Sequence, residues 1–286
     1  MANWVARSIG GAVLGVGVLF PAAVDSLQSA PDATYEETSI SSYAATFDID
    51  AKGTMHVVED LDVVFPNYGK HGIFRFFDTV DPSAPKVRRI PHDFAVTMDG
   101  SDEPFTETGD QRPRYLDFRI GSPDITLAPG VHHYRLSYTI DSVLEPGTTG
   151  QPSQFYWNLI PGGWQQTISN ADLSVSLPAA SGAVQCAVGN GATSGCQVEG
   201  EGTEALRVRI DELPAMTPLT LKTGVQTAAP PQQTLPWAPA WDGVLGTSTG
   251  RLGLVALLAA LAGAAGWLMA RSTREPTPPY PLMYAP

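Results

Sequence analysis

Apolar and polar residues alternate with a period of two along most of this chain. Tyr43, Ala45, Phe47 and Ile49 are separated by small or polar residues, and Asp50-Ala51-Lys52-Gly53 follows as a turn. Met55, Val57, Leu61, Val63 and Phe65 then resume the alternation, with Glu59 and Asp60 interrupting it. This predicts a β-hairpin. Further strands are predicted over Phe94–Met98, Leu116–Ile120, Tyr134–Ile140, Leu173–Leu177 and Leu206–Ile210, with a last one starting at Leu219 and Leu221. About ten short strands with turns between them, and no helical stripe, predict an all-β domain. One wet face per sheet makes it an antiparallel β-sandwich, placed over residues 36–226.

Two segments break the pattern. Ile9 to Phe20 carries no charge, follows Arg7, and is succeeded by Pro21, Ala22 and Ala23. Residues 1–26 therefore read as a secretory signal peptide, with an uncleaved anchor as the alternative. Leu252–Ala270 has neither charge nor proline, and its 19 residues make about 28 Å of helix, close to the hydrocarbon thickness of a bilayer. It shows no polar face, as a core helix would. It is predicted to cross the membrane once, with Trp267 near one interface. The lipid bilayer is thus the first expected partner. Arg7 before the first segment, and Arg271 and Arg274 after the second, favour the cytoplasmic side. The expectation is a cell-membrane protein, single-pass after signal cleavage. Its main domain is extracytoplasmic and its proline-rich tail, residues 271–286, cytoplasmic. Residues 227–250 hold four prolines and read as a stalk, in which Trp237 and Trp241 either dock on the domain or sit at the membrane.

Charge narrows the partners. The formal net charge is −12, and four of the 17 cations (Arg7, Arg251, Arg271 and Arg274) flank the apolar segments, so residues 25–250 carry a net −15. Such a surface repels phosphate backbones, which disfavours nucleic acid. Cys186 and Cys196 are the only cysteines and flank the turn Gly189-Asn190-Gly191. Outside the cytoplasm they are expected to form a disulfide.

Catalytic patterns are thin. Gly246-Thr247-Ser248-Thr249-Gly250 has the spacing of a nucleophile elbow, but it borders the apolar helix and no histidine lies beyond His133. The five histidines make no metal motif. Asp48, Asp50, Glu59, Asp60 and Asp62 share one hairpin; only carboxylates facing a common cleft would serve hydrolysis. No catalytic residue, metal or cofactor is assigned.

Gly72-Ile73-Phe74-Arg75, then Phe155-Tyr156-Trp157-Asn158-Leu159-Ile160 with Trp164, then Leu177-Pro178 and the cysteine pair, come in an order that resembles one bacterial family. This is the N-terminal extracytoplasmic domain of predicted membrane proteins known as domain of unknown function 2207. The resemblance covers roughly residues 40–226 and implies a β-sandwich tethered by a following helix; it implies no activity. Arg75, within an apolar run, is expected to pair with a carboxylate or stack on an aromatic ring. Trp157 is expected to fill the core, Trp164 to cover an edge or loop, and Asn158 to tie a turn. Arg75, Tyr156, Trp157, Asn158 and Trp164 are the candidate binding residues, suited to a sugar or peptide. The leading expectation is a non-catalytic module that binds a protein or glycan of the envelope. A carboxylate-dependent hydrolase and a structural or sensory ectodomain are the alternatives.

Overall fold

The computed structural model describes residues 38–80, 84–108, 114–148, 150–232 and 234–273. The expected signal segment, and the tail from residue 274 onward, lie outside them. The chain divides into two compact units after Ala240.

The first unit is built of strands. They run β1 (Ser39–Ile49), β2 (Met55–Phe65), β3 (Ile73–Asp78), β4 (His92–Met98) and β5 (Ser101–Asp102). Next come β6 (Phe105–Thr108), β7 (Tyr115–Ile120), β8 (Gly130–Ile140), β9 (Leu144–Pro146) and β10 (Ser153–Ile160). The last are β11 (Ala171–Ser176), β12 (Ser181–Val188), β13 (Val198–Glu199), β14 (Ala205–Ile210) and β15 (Leu219–Val225).

Eight of them form one large sheet, in the order β13-β14-β11-β1-β2-β8-β4-β5. Its two faces follow from the alternation. Tyr43, Phe47, Val57, Leu61, Leu136 and Leu173 point to the buried side. The opposite face carries cross-strand charge pairs, Arg135 on Asp60 at 2.9 Å and His133 on Asp62 at 2.8 Å. Such exposed pairs set register more than they add stability.

The second layer is split. A three-stranded sheet, β3-β7-β6, and a four-stranded sheet, β12-β15-β10-β9, share one continuous core with the large sheet. The expected all-β architecture is present, with two departures. The layer opposite the large sheet is two small sheets rather than one. And the sheet is not wholly antiparallel: β1 pairs with β11 in parallel, from Tyr43↔Ala171 to Asp48↔Ser176. Between β2 and β11 the chain passes back and forth between the layers, and β11 then enters the large sheet beside β1 running the same way.

Cys186 on β12 and Cys196 form the expected disulfide, with Cα atoms 5.3 Å apart. The segment expected to be a stalk begins as a strap on the domain. The Leu235 amide donates to the Lys86 carbonyl at 2.8 Å, and Arg88 donates to the Trp237 carbonyl at 3.1 Å. Leu235 and Trp237 are buried there, because two large apolar side chains are cheaper against protein than in water.

The second unit holds α1 (Asp242–Leu245) and α2 (Thr249–Ser272). Ser248 caps α2, its hydroxyl accepting from the Arg251 amide at 3.4 Å. The 24 residues of α2 make about 36 Å of helix, and none of its side chains is buried. It is long and apolar enough to cross a membrane. It exceeds the expected Leu252–Ala270 by a turn at its start and two residues at its end.

Candidate functional site

Where the two small sheets part, a cleft of about 280 Å³ opens down to the large sheet. Arg75, Phe76 and Asp78 of β3 form one wall, and Tyr156, Trp157 and Asn158 of β10 the other. Arg89, Arg114, Tyr138 and Ile140 complete the lining. Four of the five residues singled out in the sequence therefore meet in one place.

Arg75 forms part of the floor and is only 4% exposed. Its Nε donates to Glu59 Oε2 at 3.0 Å, and its Nη2 to Glu59 Oε1 at 2.6 Å and to the Tyr138 hydroxyl at 3.0 Å. Its guanidinium carbon also lies 4.3 Å from the Phe77 ring centre. Both expected modes of satisfying this cation, a carboxylate and an aromatic face, are used together. Glu59 is fully buried and sits in phase with Val57 and Leu61. It continues the inward-facing row instead of interrupting it.

The electrostatics of this cluster are those of a desolvated but compensated charge. Burial works against the Arg75 cation, yet Glu59, Tyr138 and Tyr43 outweigh it and hold the guanidinium protonated more firmly than usual. The Tyr138 hydroxyl is pushed well above its ordinary value, first by burial and then by the Glu59 carboxylate. Arg75 and Tyr138 therefore keep their protons across the physiological range and act as fixed donors.

A second buried pair stands behind the opposite wall. Arg89 bonds Glu145, whose other oxygen accepts from Gln154 Nε2 at 2.9 Å. The Arg89 guanidinium lies 5.6 Å from the Trp157 ring centre, which orients that indole toward the cleft. At the rim, Arg114 pairs with Asp78, and Lys222 approaches the Tyr156 ring at 5.7 Å. Tyr156 is 41% exposed.

Three individual expectations are corrected. Trp164, expected at an edge, is only 4% exposed; it packs edge-on against Tyr43 with centroids 6.2 Å apart and does not line the cleft. Its ring lies 5.7 Å from the Arg75 guanidinium, so it supports the site from behind. Trp157, expected in the core, packs against it only half-buried, at the gap in the second layer where β9 has ended and β15 alone flanks β10. Asn158 ties two strands instead of a turn, its Oδ1 accepting from Thr220 Oγ1 at 2.6 Å.

Arg89, Arg114 and Asp78 were not singled out in the sequence. Arg89 lies in the basic stretch Lys86-Val87-Arg88-Arg89-Ile90, which reads as a solvated loop and gave no sign that this arginine is buried.

The hairpin carboxylates do not converge. Glu59 is inside with Arg75, Asp60 and Asp62 lie on the outer face with Arg135 and His133, and Asp50 Oδ1 accepts from the Lys52 and Thr54 amides to shape its turn. Among the described residues no three His, Cys, Asp or Glu side chains gather as a metal site would need.

Among solved structures the chain is similar to yeast LTA4 hydrolase in complex with bestatin, at 9% identity and a TM-score of 0.43, over 71% of this chain and 31% of that one. It is also similar to the M1 zinc metallopeptidase from Deinococcus radiodurans, at 13% identity and a TM-score of 0.33, over 64% of this chain and 42% of that one. The chain spans less than half the length of either, and neither likeness bears on function. No curated protein matches the sequence. The family model described as the N-terminal domain of a predicted membrane protein (DUF2207) matches residues 39–225, nearly the whole strand-built unit. The chain belongs to this family of predicted membrane proteins.

Proposed function

We propose that this protein is a membrane-tethered, non-catalytic binding module whose β domain lies outside the cytoplasm and captures a protein or glycan of the envelope in the cleft between β3 and β10. The observation that carries this reading is the convergence of Tyr156, Trp157 and Asn158 with guanidiniums fixed by buried carboxylates. Aromatic faces and polar groups held rigidly on strands lose little entropy when a ligand arrives. The placement outside the cytoplasm is supported by the cations flanking the apolar segments and by the Cys186–Cys196 disulfide. The structural or sensory role and the hydrolase role rank below it, because neither accounts for an open aromatic cleft.

Two experiments test the reading. Protease shaving of intact cells should digest the β domain; protection of the domain would overturn its placement. The full chain in lipid nanodiscs should retain envelope protein or polymer fractions. A Tyr156→Ala, Trp157→Ala double variant should lose at least tenfold of that retention, while Arg207→Ala on the far face should not. Equal retention by all three would overturn the assignment of the cleft.

A further inference from the structure

The backbone around the cleft specifies what kind of ligand fits. Among the described residues β3 is an edge strand, paired on one side with β7 and on the other with no strand. In an antiparallel ladder, residues alternate between those that bond the neighbour and those that face away. The Thr79 amide donates to the Arg114 carbonyl at 2.9 Å, one step beyond the Asp78↔Tyr115 pair. Ile73, Arg75 and Phe77 therefore bond β7, while Phe74, Phe76 and Asp78 turn their N–H and C=O groups to the open edge. Arg75 Nη1 donates to the Phe76 carbonyl, consistent with that carbonyl facing away from β7.

The other wall is open in the same sense. β9 pairs with β10 only over Ser153–Phe155, although β10 runs on to Ile160. The Gly147 amide donates to the Pro152 carbonyl at 3.2 Å, so even-numbered residues of β10 bond toward β9. Past the end of β9, Tyr156 and Asn158 direct their backbone groups the same way, and among the described residues no strand meets them. Phe76, Asp78, Tyr156 and Asn158, the residues with outward backbone on the two strands, all line the cleft.

From these two facing edges we infer that the cleft takes an extended peptide segment as an added strand, joining the three- and four-stranded sheets into one continuous layer. The inference rests on the proposed role of the cleft as the binding site and names its ligand class. An inserted strand would bond Phe76 and Asp78 on one side and Tyr156 and Asn158 on the other, the mode in which main-chain bonds give affinity and alternate side chains give specificity. The alternate side chains facing the floor would meet Arg75, Arg89, Arg114 and Trp157. The carboxylates of Glu59 and Glu145 stand behind the lining, so among the described residues Asp78 is the only acid that lines the cleft. The partner is therefore an extended segment of another protein with an acidic residue at a floor-facing position.

The test uses the full chain in lipid nanodiscs and a displayed library of random linear heptapeptides. Selection should enrich sequences with an Asp or Glu between β-branched residues. Phe76→Pro removes an edge N–H without touching the bonds to β7, a position where an edge strand tolerates proline. It should weaken the selected peptides at least tenfold, while Phe76→Ala, which keeps the N–H, should change binding less than threefold. Hydrogen exchange on the unsubstituted protein decides the matter even if the proline variant misfolds. Bound peptide should slow the amides of Phe76, Asp78, Tyr156 and Asn158. Selected peptides that leave those amides unprotected would overturn the inference. So would a library that enriches nothing while envelope fractions are still retained through Trp157; in that case the cleft remains a binding site for another ligand class. Loss of both kinds of binding would remove the inference and the proposed function together.

Discussion

Glu59 and Arg75 meet inside the protein as a two-pronged pair, with Nε 3.0 Å from Oε2 and Nη2 2.6 Å from Oε1. They come from different sheets, β2 of the large one and β3 of the small one. The pair therefore fixes how the two layers sit on one another, and with them the floor of the cleft.

Breaking this pair leaves a buried charge without its partner. Glu59→Ala is expected to cost about 3–5 kcal/mol in urea unfolding. Replacing both members with apolar residues of similar length, Glu59→Met with Arg75→Met, should recover much of that loss, because no charge is stranded. A loss under about 1 kcal/mol for the single variant would show that the carboxylate has water or another cation to turn to.

The hairpin turn after β4 couples stability to pH. His132 Nδ1 lies 2.8 Å from Asp99 Oδ2, and its Nε2 lies 3.0 Å from the Ala128 carbonyl. Burial disfavours the imidazolium, but the Ala128 carbonyl and Asp99 outweigh it, so the His132 pKa is raised. Its contribution is complete below the unfolded value of about 6.5 and is lost as pH climbs through the folded value. Asp99 is lowered, first by the His133 amide and then by His132. Its contribution is present above about pH 4 and is lost as pH falls through the folded value. Stability from this turn should peak between those limits. An NMR titration of the imidazoles checks it: His132 should titrate above the model-peptide value, and Asp99→Asn should bring it down.

The disulfide closes a short hairpin after β12. Reduction, or the double change Cys186→Ser with Cys196→Ser, is expected to cost about 2.7 kcal/mol on the chain-entropy account. The check is the urea midpoint with and without reductant, at unchanged slope.

At the foot of the β3–β7 ribbon, Gly72 and Gly121 let two backbones touch. A Cβ on Gly72 would stand 1.9 Å from the Ile120 carbonyl oxygen, and one on Gly121 would stand 2.0 Å from that of His71. Gly72 also has φ +141. Gly72→Ala should destabilise by more than about 1 kcal/mol, measured by thermal or urea unfolding.

Membrane retention should depend on α2. Leu261→Arg, near the middle of the helix, is expected to weaken insertion by about 2.5–3.5 kcal/mol. Carbonate extraction of membranes should then release more of the chain than it does for Leu261→Ala.

The strands were legible because burial of one face writes a period of two directly into the residues, as from Tyr43 to Ile49 and from Tyr134 to Ile140. Their direction was not. Alternation reads the same for parallel and antiparallel neighbours, so the pairing of β1 with β11 left no trace. Glu59 read as a break because a carboxylate keeps an inward position only with a partner, and that partner lies on another sheet. The two tryptophans exchanged places for a related reason. The register of β10 slips between Asn158 and Ile160, burying Leu159 and Ile160 together, and the second layer is open beside Trp157. An opening between sheets belongs to topology, which no local pattern records.

The parallel pair also dictates an order of assembly. Tyr43 finds its partner at Ala171, on a strand that the chain delivers only after the three-stranded sheet and the first two strands of the four-stranded sheet, β9 and β10. A polypeptide synthesised from its amino end presents β1 and β2 early, with one flank of β1 waiting. Closing so long a loop is slow. Until β11 arrives, the exposed flank of β1 is thus the place where a chaperone, or a stray strand from a neighbouring chain, would first take hold.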